Sequence, residues 1–279
     1  MPGLGEGGAP LTSVIRAFRS EVLKFRRWTV LAGSAAMVVV STFIAYLTFH
    51  QIASGATGSE MSGLIAAFQT PQGLVAIIGQ ARSVILAIAL IQVSANLAAE
   101  WSQGTVRNLL VSEPHRLRWL TGKMLAVVLF VLLSMLLTLV ISGGFILLLA
   151  QGQGIDTAAW TSGQGRRIFL EFLGNETIAL IGVGALGTLI AILTRSVGAA
   201  VGIGLAYILV LEGIIAVVAP QVSRWFPGRV FNTIVGSTVP LVGPNPSQGY
   251  PAAMLASLAW IAGFAVISAL VFRRQDVTA

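Results

Sequence analysis

Three polar residues sit where chemistry inside a membrane would need them. Glu212 interrupts the apolar run YILVLEGIIAV. A carboxylate in such a run is costly to bury and faces a cavity or a partner. It is therefore a pathway or gating residue, one end of a structural hydrogen bond to a neighbouring helix, or a residue nearer the outer interface. Gln92 and Asn96 lie one helical turn apart in another apolar run. They line a polar stripe or bond across helices. These three are the candidate pathway residues. No arrangement for covalent, acid–base or metal catalysis accompanies them. The sequence has no HExxH and no carboxylate pair at helical spacing within an apolar run. Cysteine is absent, which excludes disulfides, thiol catalysis and cysteine-based metal sites. The two histidines, His50 and His115, are far apart and read as structural. The chain reads as a non-enzyme without a cofactor or metal of its own.

Several short matches to nucleotide motifs fail on context. Gly182, Gly184 and Gly187 fit G-x-G-x-x-G, but a dinucleotide site needs that pattern between a strand and a helix. Inside an apolar run the same glycines permit close helix contact. Gly198 and Gly202 form a GxxxG pair, read as packing against a neighbour in this subunit or a second one. Ser142-Gly143-Gly144 has the look of a nucleotide signature, yet it too lies within an apolar run. Gly122-Lys123 lacks the upstream glycine of a phosphate loop, and Met124 replaces the needed Ser or Thr.

Membrane-spanning helices must position these residues. The 279 residues are 56% hydrophobic and 10% charged, with a mean hydropathy of +0.87. Soluble domains carry about 25% charged residues. The expected fold is an all-α integral membrane protein with six transmembrane helices, at residues 29–49, 74–99, 124–150, 176–194, 197–219 and 251–272. Residues 1–10 are Gly- and Pro-rich and read as a disordered tail. Over 11–28, Val14, Ile15, Phe18, Val22 and Phe25 form one apolar face ringed by basic residues, an amphipathic interfacial helix. Arg82 in the second span snorkels outward or faces protein. The proline-rich but half-apolar stretch 220–250 predicts an outer re-entrant hairpin between helices five and six.

The net charge of +7 does not point to nucleic acid, because the basic residues gather at the ends of apolar runs. Twelve Lys and Arg fall within 11–28, within 100–123, at Arg195 and at Arg273 and Arg274. The opposite side holds five, namely Arg82, Arg166, Arg167, Arg224 and Arg229. This bias puts both termini and residues 100–123 on the cytoplasmic side of the plasma membrane.

Residues 100–123 read EWSQGTVRNLLVSEPHRLRWLTGK. Within them, 105–111 can form a short amphipathic helix with Val106, Leu109 and Leu110 at helical spacing, ended by Pro114. Glu100 and Arg107 are two turns apart and share a face if the helix is continuous. Leu117, Trp119 and Leu120 add an apolar patch among arginines. The stretch is either a docking surface for a cytoplasmic partner or a basic anchor at the membrane edge.

Glu100, Gly104-Thr105-Val106-Arg107, Leu109-Leu110, Pro114, Arg116 and Gly122-Lys123 together resemble the inner loop of type-2 ABC exporter permeases, which joins the second and third spans. The basic N-terminal helix, six spans and outer hairpin are similar as well. The resemblance implies that Glu100, Gly104, Thr105, Arg107, Leu109, Leu110, Pro114 and Arg116 form the ATPase-coupling surface. It implies two cytoplasmic ABC ATPase subunits as partners, with ATP and Mg bound there, and a second permease copy or homologue in the same lipid bilayer. It implies outward movement of a small hydrophobic or amphipathic substrate, such as a drug, antibiotic, peptide or lipid. Two other classes stay open, a non-transporting assembly or sensor subunit on the same scaffold and a secondary transporter. Because the chain lacks cysteine, a single cysteine placed at Gln103 is expected to react with an impermeant thiol reagent only after cells are permeabilised. Labelling from outside intact cells contradicts this topology.

Overall fold

The computed structural model describes residues 15, 18, 19, 22, 28–54, 68–104, 116–237 and 249–274. Every regular element among them is helical. In chain order they are α1 (Trp28–Ser54), α2 (Gly73–Ile78), α3 (Arg82–Ser102), α4 (Arg116–Gly152), α5 (Ala158–Thr161), α6 (Gly163–Thr194), α7 (Val197–Ala206), α8 (Glu212–Val218), α9 (Pro220–Ser223), α10 (Pro227–Gly236) and α11 (Tyr250–Arg274). A 3-10 turn, Gly79–Ala81, joins α2 to α3, and a π-helical segment, Tyr207–Leu211, joins α7 to α8. Six stretches are long and apolar enough to cross a membrane: Val30–Ala53, Gly73–Ser102, Leu117–Gly152, Gly163–Thr194, Val197–Val218 and Tyr250–Arg274. The chain is a multi-pass, all-helical bundle of these six spans.

The third and fourth spans are longer than their apolar runs. The third begins at Arg116, so the last part of the expected 100–123 loop is helix. The fourth begins at Gly163, so most of residues 151–175, between the expected third and fourth spans, is helix as well. Ser162 starts it by accepting a hydrogen bond at its Oγ from the Gly165 N–H, at 3.1 Å. Arg167 then donates to Glu171 one turn on, at 2.9 Å, on the exposed face. Hydropathy marks where lipid contact ends, while caps and turns mark where a helix ends.

The fourth span is the most buried and the first and fifth the least. Its glycines are the reason. A Cβ at Gly182 would lie 2.1 Å from the Phe231 ring of α10. Gly184 faces Val93, and Gly187 approaches the Leu90 backbone and Ser94, all on α3. The G-x-G-x-x-G run is thus a packing face for two neighbours, α3 and α10.

Of the two readings of Gly198 and Gly202, packing against a neighbour in this subunit is not the one the bundle takes. Both are exposed, and a Cβ at either would meet nothing within 4 Å. Their neighbours Ala200 and Gly204 face the bundle instead, and a Cβ at Gly204 would lie 2.4 Å from Leu90. Residues two apart on a helix point about 200° apart, so one pair faces inward and the other outward.

The first and third spans run parallel. Ser34 bonds Ser134 at 2.8 Å and Thr42 bonds Ser142 at 2.9 Å, with equal spacing along both helices. Ser142, part of the SGG run, is therefore a helix-to-helix contact. Such bonds contribute on average about 0.6 kcal/mol each.

These packing faces yield a direct comparison. Gly182→Leu is expected to destabilise the purified chain by about 1–3 kcal/mol, since the Phe231 ring must leave its notch. Gly202→Leu is expected to leave monomer stability within about 0.5 kcal/mol of wild type. Thermal or denaturant unfolding in detergent measures both.

Candidate functional site

The cytoplasm-assigned stretch starts where α3 stops. Gln103 donates its N–H to the Ala99 carbonyl at 2.9 Å, and Gly104 donates to Trp101 at 3.0 Å. Gly104 has φ +66°, a left-handed conformation that glycine adopts without Cβ strain. The helix therefore ends at Ser102, and the continuous helix on which a shared face of Glu100 and Arg107 depended does not run through Gly104. Thr105, Arg107, Leu109, Leu110 and Pro114 lie outside the described residues, as do His115 and the side chain of Arg116.

What the structure describes is the frame around that stretch. Lys123, seven residues into α4, is wholly buried, and its Nζ donates to Glu100 Oε1 at 3.2 Å. The ion pair ties the last turn of α3 to the start of α4, across the whole intervening segment. Lys123 also lies 6.0 Å from the Trp119 ring centre. Trp119 stacks on Phe272 of α11 at 5.8 Å, and Trp101 meets the same ring edge-on at 6.0 Å. Arg195, the left-handed residue in the short turn between the fourth and fifth spans, covers the Trp101 ring at 5.4 Å. Three of the six spans and the turn that joins the fourth to the fifth thus meet at one node.

The opposite end of the bundle carries a second polar cluster. Arg82 is about 27 Å of helix rise from Glu100 along α3. Its Nε donates to Asn232 Oδ1 of α10 at 3.3 Å, and its terminal nitrogen donates to the Gly79 carbonyl at 3.4 Å. Of the two readings of Arg82, it takes the one that faces protein. Glu176 on α6 is fully buried and interacts electrostatically with Arg82. Its neighbour Asn175 donates to the Ile234 carbonyl at 2.9 Å and accepts from the Tyr250 hydroxyl at 2.8 Å. The fourth span therefore holds both α10 and the start of the sixth.

Glu212 belongs to this end. It is buried, and its Oε1 accepts the Gly228 N–H at 2.9 Å. Gly228 lies in the first turn of α10, whose free N–H groups and dipole favour a carboxylate. A Cβ at Gly228 would lie 2.4 Å from Glu212, so only glycine lets the carboxylate this close. Of the three readings of Glu212, this contact is the structural one.

Gln92 and Asn96 sit elsewhere. The Gln92 carboxamide fills the space left by Gly33 on the first span, 2.7 Å from where a Cβ would stand. Both Gln92 amide atoms and Asn96 Oδ1 are buried without a hydrogen-bond partner among the described residues. The structure thus separates Gln92, against the first span, from Glu212, at the start of α10. A mostly apolar cavity of about 180 Å³ lies among Phe49, Ile52, Phe68, Ile77, Gln153 and Trp160. It is smaller than the roughly 300 Å³ at which drug-sized sites begin.

Sequence reasoning missed Glu176 and the Lys123–Glu100 pair. A signal for the first was present. Phe172, Asn175, Glu176 and Ala179 follow the i, i+3, i+4, i+7 pattern, and all four are buried. The pair joins residues 23 apart and left no periodic trace.

A family model described as a protein of unknown function, DUF2705, matches residues 35–278. The chain belongs to this family. No curated protein matches it. The DUF2705 match spans all six candidate spans save the start of the first, including both polar ends.

The buried node gives a prediction for this DUF2705 chain. Lys123→Met leaves Glu100 buried beside an apolar side chain and is expected to cost about 3–5 kcal/mol. Adding Glu100→Gln should recover most of that loss, because a neutral amide is far cheaper to bury than an ion. Unfolding of the single and double variants measures the recovery.

Proposed function

We propose that this chain is the transmembrane permease subunit of an ATP-driven ABC exporter of the type-2 kind. A separate pair of ATPase subunits would dock on residues 100–123, and a second permease copy or homologue would complete the translocator. The cargo is a small hydrophobic or amphipathic molecule. Both termini lie in the cytoplasm, residues 11–28 lie in the inner interface of the plasma membrane, and α9 with α10 dips back into the outer leaflet.

One observation supports this reading above the others. The two ends of the 100–123 segment are locked together by the buried Lys123–Glu100 pair and wedged by Phe272 between Trp101 and Trp119. A lipid anchor needs basic charge at the headgroups and nothing more. A coupling segment needs a stiff base, so that a push on it moves several spans together. The resemblance of the segment to the inner loop of exporter permeases adds the identity of what pushes. The basic bias of twelve residues against five supports the orientation.

A secondary transporter is favoured by a different observation. Such proteins carry several ionisable groups within their spans. Arg82, Glu176 and Glu212 are three at one end of this bundle. Dependence of uptake or efflux on an ion gradient, without an ATPase, would decide for that class.

The test of the exporter reading is co-purification with an ATPase encoded beside this chain, and stimulation of its ATP hydrolysis in liposomes. Leu109→Asp places a charge at the centre of the docking patch. It is expected to abolish co-purification or reduce stimulated hydrolysis at least about tenfold, the scale of one lost hot-spot residue. The six spans should remain folded. Retention of both activities by Leu109→Asp returns the segment to a plain basic edge.

A further inference from the structure

The polar cluster at the α10 end holds a mismatch. Glu176 is 0% exposed, and neither carboxylate oxygen has a hydrogen-bond partner among the described residues. The cation that acts on it, Arg82, donates elsewhere, to the Asn232 carboxamide at 3.3 Å and the Gly79 carbonyl at 3.4 Å. Both bonds are long, whereas a guanidinium bound to a carboxylate typically closes to about 2.7–2.9 Å. The carboxyl group is left without a partner while an amide and a backbone carbonyl hold the cation. Burying a carboxyl group without a hydrogen bond is costly in either protonation state, so a movement of Arg82 onto it would recover part of that cost.

The backbone permits that movement. Arg82 is the first residue after the 3-10 turn Gly79–Ala81, which interrupts the second span. Such an interruption within a long helix commonly marks a hinge. Asn232, the residue that Arg82 would leave, is on α10, and it keeps a bond of its own to the Gly228 carbonyl at 2.9 Å. α10 would then retain its other restraints, the Phe231 ring at Gly182, Asn175 on the Ile234 carbonyl and Glu212 on Gly228. Loss of the Arg82 contact weakens its seat without removing it.

We propose that Arg82 is a two-position latch, holding α10 through Asn232 in one state and turning onto Glu176 in a second state in which α10, left with only its other restraints, lifts from the bundle more often. Glu176 is the positioning residue for that second state. Its carboxylate shifts the balance only because it bonds Arg82 better in one state than in the other. The latch is a property of this chain alone and needs neither an ATPase nor a cargo.

The test uses the full chain, which has no cysteine, reconstituted in lipid nanodiscs. Ile234 is buried on α10 at 0% exposure, so a single Ile234→Cys reacts with a polar maleimide only when α10 lifts. Glu176→Gln in that background removes the second-state acceptor and should slow labelling by roughly tenfold, the scale of one charge-assisted hydrogen bond. Asn232→Ala removes the first-state acceptor and should speed labelling by a similar factor. With Arg82→Gln present, neither change should alter the rate. A merely structural Glu176 predicts the reverse sign, faster labelling in Glu176→Gln, because the bundle loosens. Faster or unchanged labelling in Glu176→Gln overturns the latch, and so does a failure of Asn232→Ala to speed it. Should Glu176→Gln not insert, the Asn232→Ala rate with and without Arg82→Gln decides alone.

Discussion

An ion buried among apolar helices costs several kcal/mol unless another ion or backbone dipole meets it. This constraint arranges the bundle. Among the described residues its interior charges are placed at helix ends and helix breaks, where partners exist, with the exception of Glu176, which lies mid-helix on the fourth span. Lys123 and Glu100 pair across the ends of the second and third spans. Glu212, first residue after the π segment, meets the free N–H groups that open α10. Arg82, first after a 3-10 turn, directs its guanidinium to the Gly79 carbonyl of that turn, which also accepts the Arg82 backbone N–H. Each such contact pins one helix against another, so the register of the spans follows from the need to keep charges paired.

Between those polar points, size complementarity does the holding. Lipid gives no hydrophobic drive for helices to associate, so close approach must supply contact area. The glycines at 182, 184 and 187 provide it along the fourth span, which is why that span is the centre of the fold. Phe231 fills the largest notch and Phe272 separates two tryptophans at the other end. The two ends differ in kind as a result. One is an aromatic and ionic node that joins three spans and the turn between the fourth and fifth. The other seats a short helix on two polar bonds of 2.9 Å, at Ile234 and Gly228, and a longer one from Arg82 at 3.3 Å. In the exporter reading, the first end receives the stroke of an ATPase.

Much of the architecture was legible in the amino-acid order. Six apolar runs, the absence of cysteine and the grouping of arginines at run ends define a multi-pass helical protein. The span centres follow from hydropathy, because the cost of placing a residue in lipid is a property of that residue alone. The packing role of Gly182, Gly184 and Gly187 was legible too, since glycine has one use inside a lipid-length helix of ordinary geometry.

Direction was not legible. Gly198 and Gly202 match a packing motif as well as Gly182 does, yet rotation of the fifth span by two residues turns them away from the bundle. Glu212 stood out as a buried acid, but its partner N–H comes 16 residues later, from a helix whose position no periodicity reveals. Glu176 escaped notice because it sits beside polar residues that proved to be helix, and its burial depends on which face α10 covers. The sequence by itself determined which segments enter lipid and which residue types they carry. Only the tertiary structure decided which side chains meet, because pairing depends on helix rotation and on the place where each helix stops.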